Sequence, residues 1–278
     1  LESSDISEHV KDKIQQAFIN QTHFKDDNCF VGFYQSSTHA ASVLFIEFEN
    51  DSDHFRANLA EMFATNVALI LESLTKQKEI EKTQKELLYI VAAAAETRSK
   101  ATSSHVKRVA LFCELLAVKS GLDQALVEAL CLAAPLYDLG KVAIPMHILH
   151  KPGELAEQEW EIMQTHAQLG SDIFDKSTVN ISKLAAKLAK HHHENWDGSG
   201  YPEGLSGNNI PIEARIMAVV DVFDALGSKR CYKEAWTNEK VKEFLISEKN
   251  KKFDAALVDI IIDNYDEFTE IRARFPDN

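Results

Sequence analysis

The stretch His192-His193-Glu194-Asn195-Trp196-Asp197-Gly198-Ser199-Gly200-Tyr201-Pro202 sets two adjacent imidazoles before a glycine-rich turn. With His105, Asp138, His166 and Asp221 it offers nitrogen and carboxylate donors without a thiolate, which suits iron, manganese or zinc at an open catalytic site better than structural zinc. Helix phase sorts ligands from bystanders, because residues four apart share a face. His192 continues the line of Leu184 and Leu188, and His193 that of Ala185 and Ala189, whereas His191 follows Lys183 and Lys187 and is expected in solvent. His105 lies in line with Val109, Phe112 and Leu116, and His166 follows Met163 on a helix beginning near Glu157, so both face inward. One inward histidine is more often a hydrogen-bonded core residue than a ligand. Four of them, with two carboxylates that would each need a cation or several donors, point to a metal centre. His9, His23, His39, His54, His147 and His150 have no comparable setting and are expected at the surface.

The elements that must position these groups are mostly helical. Ile6, Val10, Ile14 and Phe18 recur every four residues and predict an amphipathic helix. Strand-like runs over Cys29 to Tyr34 and Ser42 to Phe48 flank a polar segment, Gln35 to His39, and predict a hairpin. From Phe55 to Glu96 there is no Pro or Gly, and Leu59, Met62, Ile70, Ile80, Leu87 and Val91 mark a stripe at roughly heptad spacing. Asn66, Ser73, Gln77 and Gln84 interrupt that stripe, so a buried linker helix is expected, with a homodimer seam as the alternative. After Ser103 the pattern is helical nearly to the end, broken at Gly121, Gly140 to Pro145, Lys151 to Gly153, Gly198 to Pro211 and Gly227.

A chain of 278 residues with 45% hydrophobic content has room for two unequal domains. A net charge of -13 argues against general binding to nucleic acid or anionic membranes, so an anionic substrate needs a local cationic site. Cys29, Cys113, Cys131 and Cys231 are scattered without a paired motif and read as reduced thiols of a cytoplasmic protein. No apolar run is long enough to span a bilayer, and the sequence opens abruptly, as if a segment preceded it.

From Glu96 to about Phe275 the chain resembles HD-GYP domains, the metal-dependent phosphodiesterases of bacterial cyclic di-GMP signalling. The resemblance rests on Thr97-Arg98, on His105 to Val109, on Asp138 to Pro145, on Lys151-Pro152-Gly153 and on the His-His-Glu to Gly-Tyr-Pro stretch. Ala218 to Leu226 and Tyr232 to Trp236 extend it. It is closest to response regulators that place a GAF-like domain before HD-GYP. It implies a mainly α fold, with an HD-type bundle over 85–278 and a small GAF-like α/β regulatory domain with a linker helix over 1–84. It further implies that Asp138 bridges two transition-metal ions, iron first and manganese or zinc as alternatives, with His166, His192 and His193 on one and His105 and Asp221 on the other. Lys141 matches a lysine facing substrate phosphate, and Arg230 and Tyr232 match a basic and aromatic pair near the nucleotide. Ala101 stands where some members carry a third-metal glutamate, Ser99 where Asp is usual, and Cys231 where Pro is usual.

The implied chemistry is hydrolysis of cyclic di-GMP, or a related cyclic dinucleotide, to a linear product. Two ions about 3.5 to 4 Å apart would stabilise attacking and leaving oxygens and acidify water, so no separate base is required. Lys141 would neutralise charge growing on phosphate; its plain alternative is a cap after Gly140. Tyr137 stands where the family has a metal-binding His. Its phenol is a poor ligand for a divalent ion but suits ferric iron as phenolate; the plainer expectation is that it swings aside and water fills the place. Tyr201 is expected on an exposed loop that recognises substrate or a signalling protein. The alternative function is a degenerate domain that binds metal or nucleotide and signals through partners without turnover.

Overall fold

Alternation of side chains builds the first part of the chain. In the computed structural model, which describes residues 7–26, 29–35, 41–47, 57–99, 102–228 and 235–277, helix α1 (Glu8–Asn20) packs on a sheet of β1 (Phe24–Asp26), β2 (Cys29–Gln35) and β3 (Ala41–Glu47). The sheet is antiparallel in the order β1-β2-β3, and Val31 pairs with Phe45. Cys29, Val31 and Phe33 on one face of β2 cluster with Ala17, while Phe30 on the other meets Ala64, as the two-residue period of a strand requires. The predicted hairpin strands are present; residues 36–40 and Phe48 lie outside the described residues. β1 is too short for alternation to reveal. In α1 the buried residue is Ala17, and Phe18 is 42% exposed. Val10, Ile14 and Ala17 share the face toward the sheet, and Phe18 lies a further 100° round the helix, meeting Phe33 by its ring edge.

Helix α2 (Ala57–Glu96) runs unbroken for 40 residues. The expectation of a buried linker helix is corrected: Leu59, Met62, Ile70, Leu74, Ile80 and Leu87 are all exposed. Among the described residues it buries three alanines, Ala64, Ala92 and Ala95, and Glu96 at its end, with Leu88 and Tyr89 partly packed on the core, so the long apolar side chains of the stripe stay exposed.

The chain divides into two compact units, Leu1–Thr83 and Gln84–Asn278. The second is helical throughout: α3 (Ser103–Lys119), α4 (Gln124–Ala133), a short α5 (Met146–Leu149), α6 (Glu157–Phe174), α7 (Asn180–His191), α8 (Ile212–Gly227), α9 (Asn238–Ser247), α10 (Ala255–Asp263) and α11 (Tyr265–Arg274). Its core is aromatic at the centre, where Phe112 of α3 meets Phe223 of α8 edge-on at 5.1 Å and stacks with Phe268 of α11 at 5.8 Å. Caps set the helix starts: Thr102 accepts from the His105 amide, and Asp123, Thr237 and Asp254 do the same for α4, α9 and α10. No described helix is long and apolar enough to cross a membrane.

Candidate metal centre

Gly140 decides where Asp138 goes. A methyl in place of its hydrogen would stand 2.0 Å from the His166 carbonyl oxygen and 2.5 Å from the Gly170 nitrogen, so only glycine lets the 3-10 turn Leu139–Ala143 lie against α6. That contact sets Asp138 Oδ1 3.4 Å from His166 Nε2. His192 and His193 arrive at the end of α7, whose Leu184, Ala185, Leu188 and Ala189 are buried. His166 Nε2 lies 3.4 Å from His192 Nε2 and 3.1 Å from His193 Nε2. The ligand atoms of Asp138, His166, His192 and His193 all fall within 4.8 Å of one another.

Hydrogen bonding selects the form of these rings. His166 Nδ1 is 2.7 Å from the Met163 carbonyl and His192 Nδ1 is 2.9 Å from that of Ala189. Carbonyl oxygens only accept, so each Nδ1 carries a proton and Nε2 is the nitrogen left to face the cluster. Burial, aided by the charges of His192 and Lys141, brings His166 down to about 4 against the pull of Asp138. Burial and the neighbouring His192 and His166 hold His193 well below the usual range. Burial alone would raise the Asp138 pKa, but Lys141 and the histidines outweigh it and keep the carboxylate ionised. Its Oδ2 pairs with Lys141, whereas its buried Oδ1 has no hydrogen-bond partner. An orphaned carboxylate oxygen facing bare imidazole nitrogens fits a transition metal.

His105 and Asp221 are not in this cluster. They meet at Tyr137, which does not swing aside as expected: its ring is 3% exposed, it donates to Asp221 Oδ1 at 2.7 Å, and its oxygen lies 3.2 Å from His105 Nε2. The ring is held edge-on to His192 at 5.0 Å, and turning it out would expose a buried aromatic and leave Asp221 without that donor. Burial, with the charges of Asp138, Asp221 and Glu96, pushes the phenol well above its ordinary pKa.

Several neighbours escaped the sequence reading. Asp224 accepts from His105 Nδ1 at 2.7 Å and from Arg108 Nε and Nη2 at 2.7 and 2.9 Å. Arg108, 1% exposed, also donates to Asp277 and to the Phe275 carbonyl. Burial disfavours charge on both His105 and Asp224, yet their hydrogen bonds win, raising His105 and lowering Asp224 to about 2. The available signal was spacing: His105 and Arg108, and Asp221 and Asp224, are i,i+3 pairs, each on one helix. Glu96 is 5% exposed and accepts from the Ser99 hydroxyl. Glu194, also buried, accepts from the amides of Glu203 and Leu205 at 2.8 and 2.9 Å and so ties down the glycine-rich loop.

That loop corrects two expectations. Gly200 brings it back onto the histidines, since a Cβ there would stand 2.5 Å from the His193 carbonyl oxygen. Tyr201 consequently is not splayed into solvent but stacks on His193 at 4.7 Å, edge-on to the exposed Trp160. His191, expected in solvent, is 12% exposed at its side chain, because the returning chain places Glu203 and Glu194 within 4 Å of its Nδ1. These three form a second acidic cluster, but Glu194 is engaged by backbone amides and Glu203 by Lys190. His150, also expected at the surface, is half-buried and bonds the Arg98 carbonyl. Ala101, Arg230, Cys231 and Tyr232 lie outside the described residues, as do His39 and His54.

Residues 89–257 match the HD domain family, and residues 1–80 match a domain of unknown function, DUF3369. The chain is 42% identical over 272 residues to 3'3'-cGAMP-specific phosphodiesterase 2 of Vibrio cholerae, covering 98% of this chain and 52% of that protein. It is 40% identical over 210 residues to the cyclic di-GMP phosphodiesterase response regulator RpfG of Xanthomonas campestris, covering 75% and 56%. It thus spans about half the length of the curated relatives it matches. The crystal structure of the V. cholerae cyclic GMP-AMP phosphodiesterase V-cGAP3 has the same fold, with a TM-score of 0.51 at 17% identity over 69% of this chain and 54% of that one. With this match carried through the same helices that gather Asp138, His166, His192 and His193, the chain belongs to the HD-domain family, of the HD-GYP type.

Proposed function

We propose that this chain hydrolyses a phosphodiester bond of a cyclic dinucleotide to leave a linear dinucleotide, at a metal held by Asp138, His166, His192 and His193. The observation that carries this reading is the convergence of bare imidazole nitrogens on the unpartnered Oδ1 of Asp138. When bound, the ion supplies Lewis acidity and a water acidic enough to act at neutral pH. Three nitrogens and one carboxylate oxygen suit iron, with manganese or zinc as alternatives. Asp138 holds one oxygen to the cluster and the other to Lys141. Burial pulls the Lys141 pKa down, but Asp138, Glu96 and Asp221 outweigh it, so the ammonium keeps its charge, and a quarter of its side chain is exposed to meet a phosphate. In a chain of net charge -13, that fixed cation is what an anionic substrate would find. Tyr201, stacked on His193 beside an open cavity of about 410 Å³, offers an aromatic face for a nucleobase. The unpaired thiols of Cys29, Cys113 and Cys131 fit a cytoplasmic setting. We assign residues 1–84 a GAF-like regulatory role, and the exposed Pro202 and Glu203 beside Tyr201 the contact with a signalling partner.

Since the 42% identical relative is named for 3'3'-cGAMP, the test incubates manganese- or iron-loaded protein with 3'3'-cGAMP, cyclic di-GMP and cyclic di-AMP and follows linear products. Turnover of a guanine-containing cyclic dinucleotide is expected, and Lys141→Met should lower kcat by about 10²- to 10³-fold with the metal retained. Metal-loaded protein that binds these nucleotides without cleaving any of them favours the second reading, a domain that signals without turnover. The observation behind that reading is the Tyr137 hydroxyl lodged between His105 and Asp221.

A further inference from the structure

Two groups of donors face each other in the second unit, and Tyr137 stands between them. On one side are Asp138, His166, His192 and His193, mutually within 4.8 Å. On the other are His105 and Asp221, and among the described residues these do not form a third-ligand cradle with Asp138 within that same distance. The Tyr137 ring lies edge-on to His192 at 5.0 Å and to His105 at 6.4 Å, so it divides the two groups. Its oxygen then touches both donors on the far side, at 2.7 Å from Asp221 Oδ1 and 3.2 Å from His105 Nε2. A transition metal needs each such donor at about 2.0 to 2.2 Å. The third corner of the His105 and Asp221 pair is already filled by an oxygen that satisfies them through hydrogen bonds.

His105 cannot turn away to serve another role, because Asp224 grips its Nδ1 at 2.7 Å and Arg108 holds Asp224 from two sides. The hydroxyl is equally fixed, since Tyr137 is 3% exposed and sits in the helical core. On this geometry, and resting on the proposal that the four-donor cluster holds metal, we propose that the chain binds one metal ion and not two, with the Tyr137 hydroxyl taking the place of the second ion between His105 and Asp221.

The test is elemental analysis of the full chain after anaerobic loading with manganese(II) or iron(II) and removal of loose metal. One ion per chain is expected for the wild type and for Tyr137→Phe, two for Tyr137→His, and none for His193→Ala. Two ions in the wild type would overturn the inference while leaving the proposed function standing. No ion in folded wild-type protein would overturn both. After the iron-loaded protein is oxidised in air to the ferric form, a visible charge-transfer band in the wild type that Tyr137→Phe abolishes would mean that the phenolate ligates metal, which also overturns it. Should Tyr137→His fail to fold, the wild-type and Tyr137→Phe stoichiometries and the spectrum decide the matter.

Discussion

Asp138→Asn is expected to empty the proposed metal site and to take the proposed cyclic dinucleotide hydrolysis below detection, while the protein stays folded. The substitution keeps the shape but removes the one carboxylate of the four-donor cluster, and with it the charge that faces His166 and His192 at 3.4 and 3.6 Å and the partner of Lys141. Loss of an outer partner of a metal ligand costs roughly 10- to 100-fold in metal affinity, and loss of this carboxylate should exceed that. Lys141 would then lose the carboxylate it is paired with, adding repulsion to a cation at the cluster. His191→Ala is the informative neighbour. Its ring lies near Glu194 and Glu203 and outside the four-donor cluster, so metal content should remain while stability falls slightly. Elemental analysis beside turnover measures both; an Asp138→Asn protein that keeps its metal, or a His191→Ala protein that loses it, would show that the ligands are misassigned.

Arg108→Leu should destabilise the second unit by about 3 to 5 kcal/mol, the usual cost of breaking one partner of a buried ion pair. Against a typical total of about 5 to 15 kcal/mol this is a large share, and thermal melting should fall by about 10 °C or more. Arg108 is 1% exposed, and its removal leaves Asp224 buried with His105 and the Ser228 hydroxyl and frees Asp277 and the Phe275 carbonyl. Replacing both Arg108 and Asp224 by leucine should recover part of the loss, since no charge is then stranded. The same pair gives an acid limit. Asp224 is lowered from 3.8 to about 2, burial being outweighed by its bonds to His105 and Arg108. A depressed carboxylate contributes stability that is whole above pH 4 and lost as pH falls toward 2, here about 2 kcal/mol. A melting temperature unchanged between pH 5 and pH 2.5, or an Arg108→Leu loss below about 1 kcal/mol, would show that the pair is effectively solvated.

The helices, and the way His166, His192 and His193 face inward, were readable because both obey local periods, whereas His105 and Asp221, expected among the ligands, lie outside the four-donor cluster. Leu184, Ala185, Leu188 and Ala189 announce which way α7 presents His192 and His193, and the interrupted stripe of α2 announces a helix without saying what covers it. What stayed hidden depends on chain returning from afar. His191 has two lysines on its face, yet Glu203, twelve residues on, closes over it after the turn at Gly200. Tyr201 lacks any apolar period because a loop has none, and only the fold brings it onto His193. Tyr137 was visible as an odd residue beside Asp138, but its two partners lie 32 and 84 residues away, so its hydrogen bonds were not.

The bonds from Nδ1 of His166 and His192 to carbonyls of their own helices carry a consequence for exchange. The backbone that aims these rings is complete once α6 and α7 have formed, so the pocket is a finished socket and the proposed ion would be a guest in it. A chelator should therefore withdraw the metal from a molecule that keeps its far-ultraviolet spectrum and takes a fresh ion without refolding, unlike small domains that collapse only around zinc. Which ion the proposed socket takes would then follow supply and the softness of the competing ions, so that chains from differently supplied cells would carry different metals.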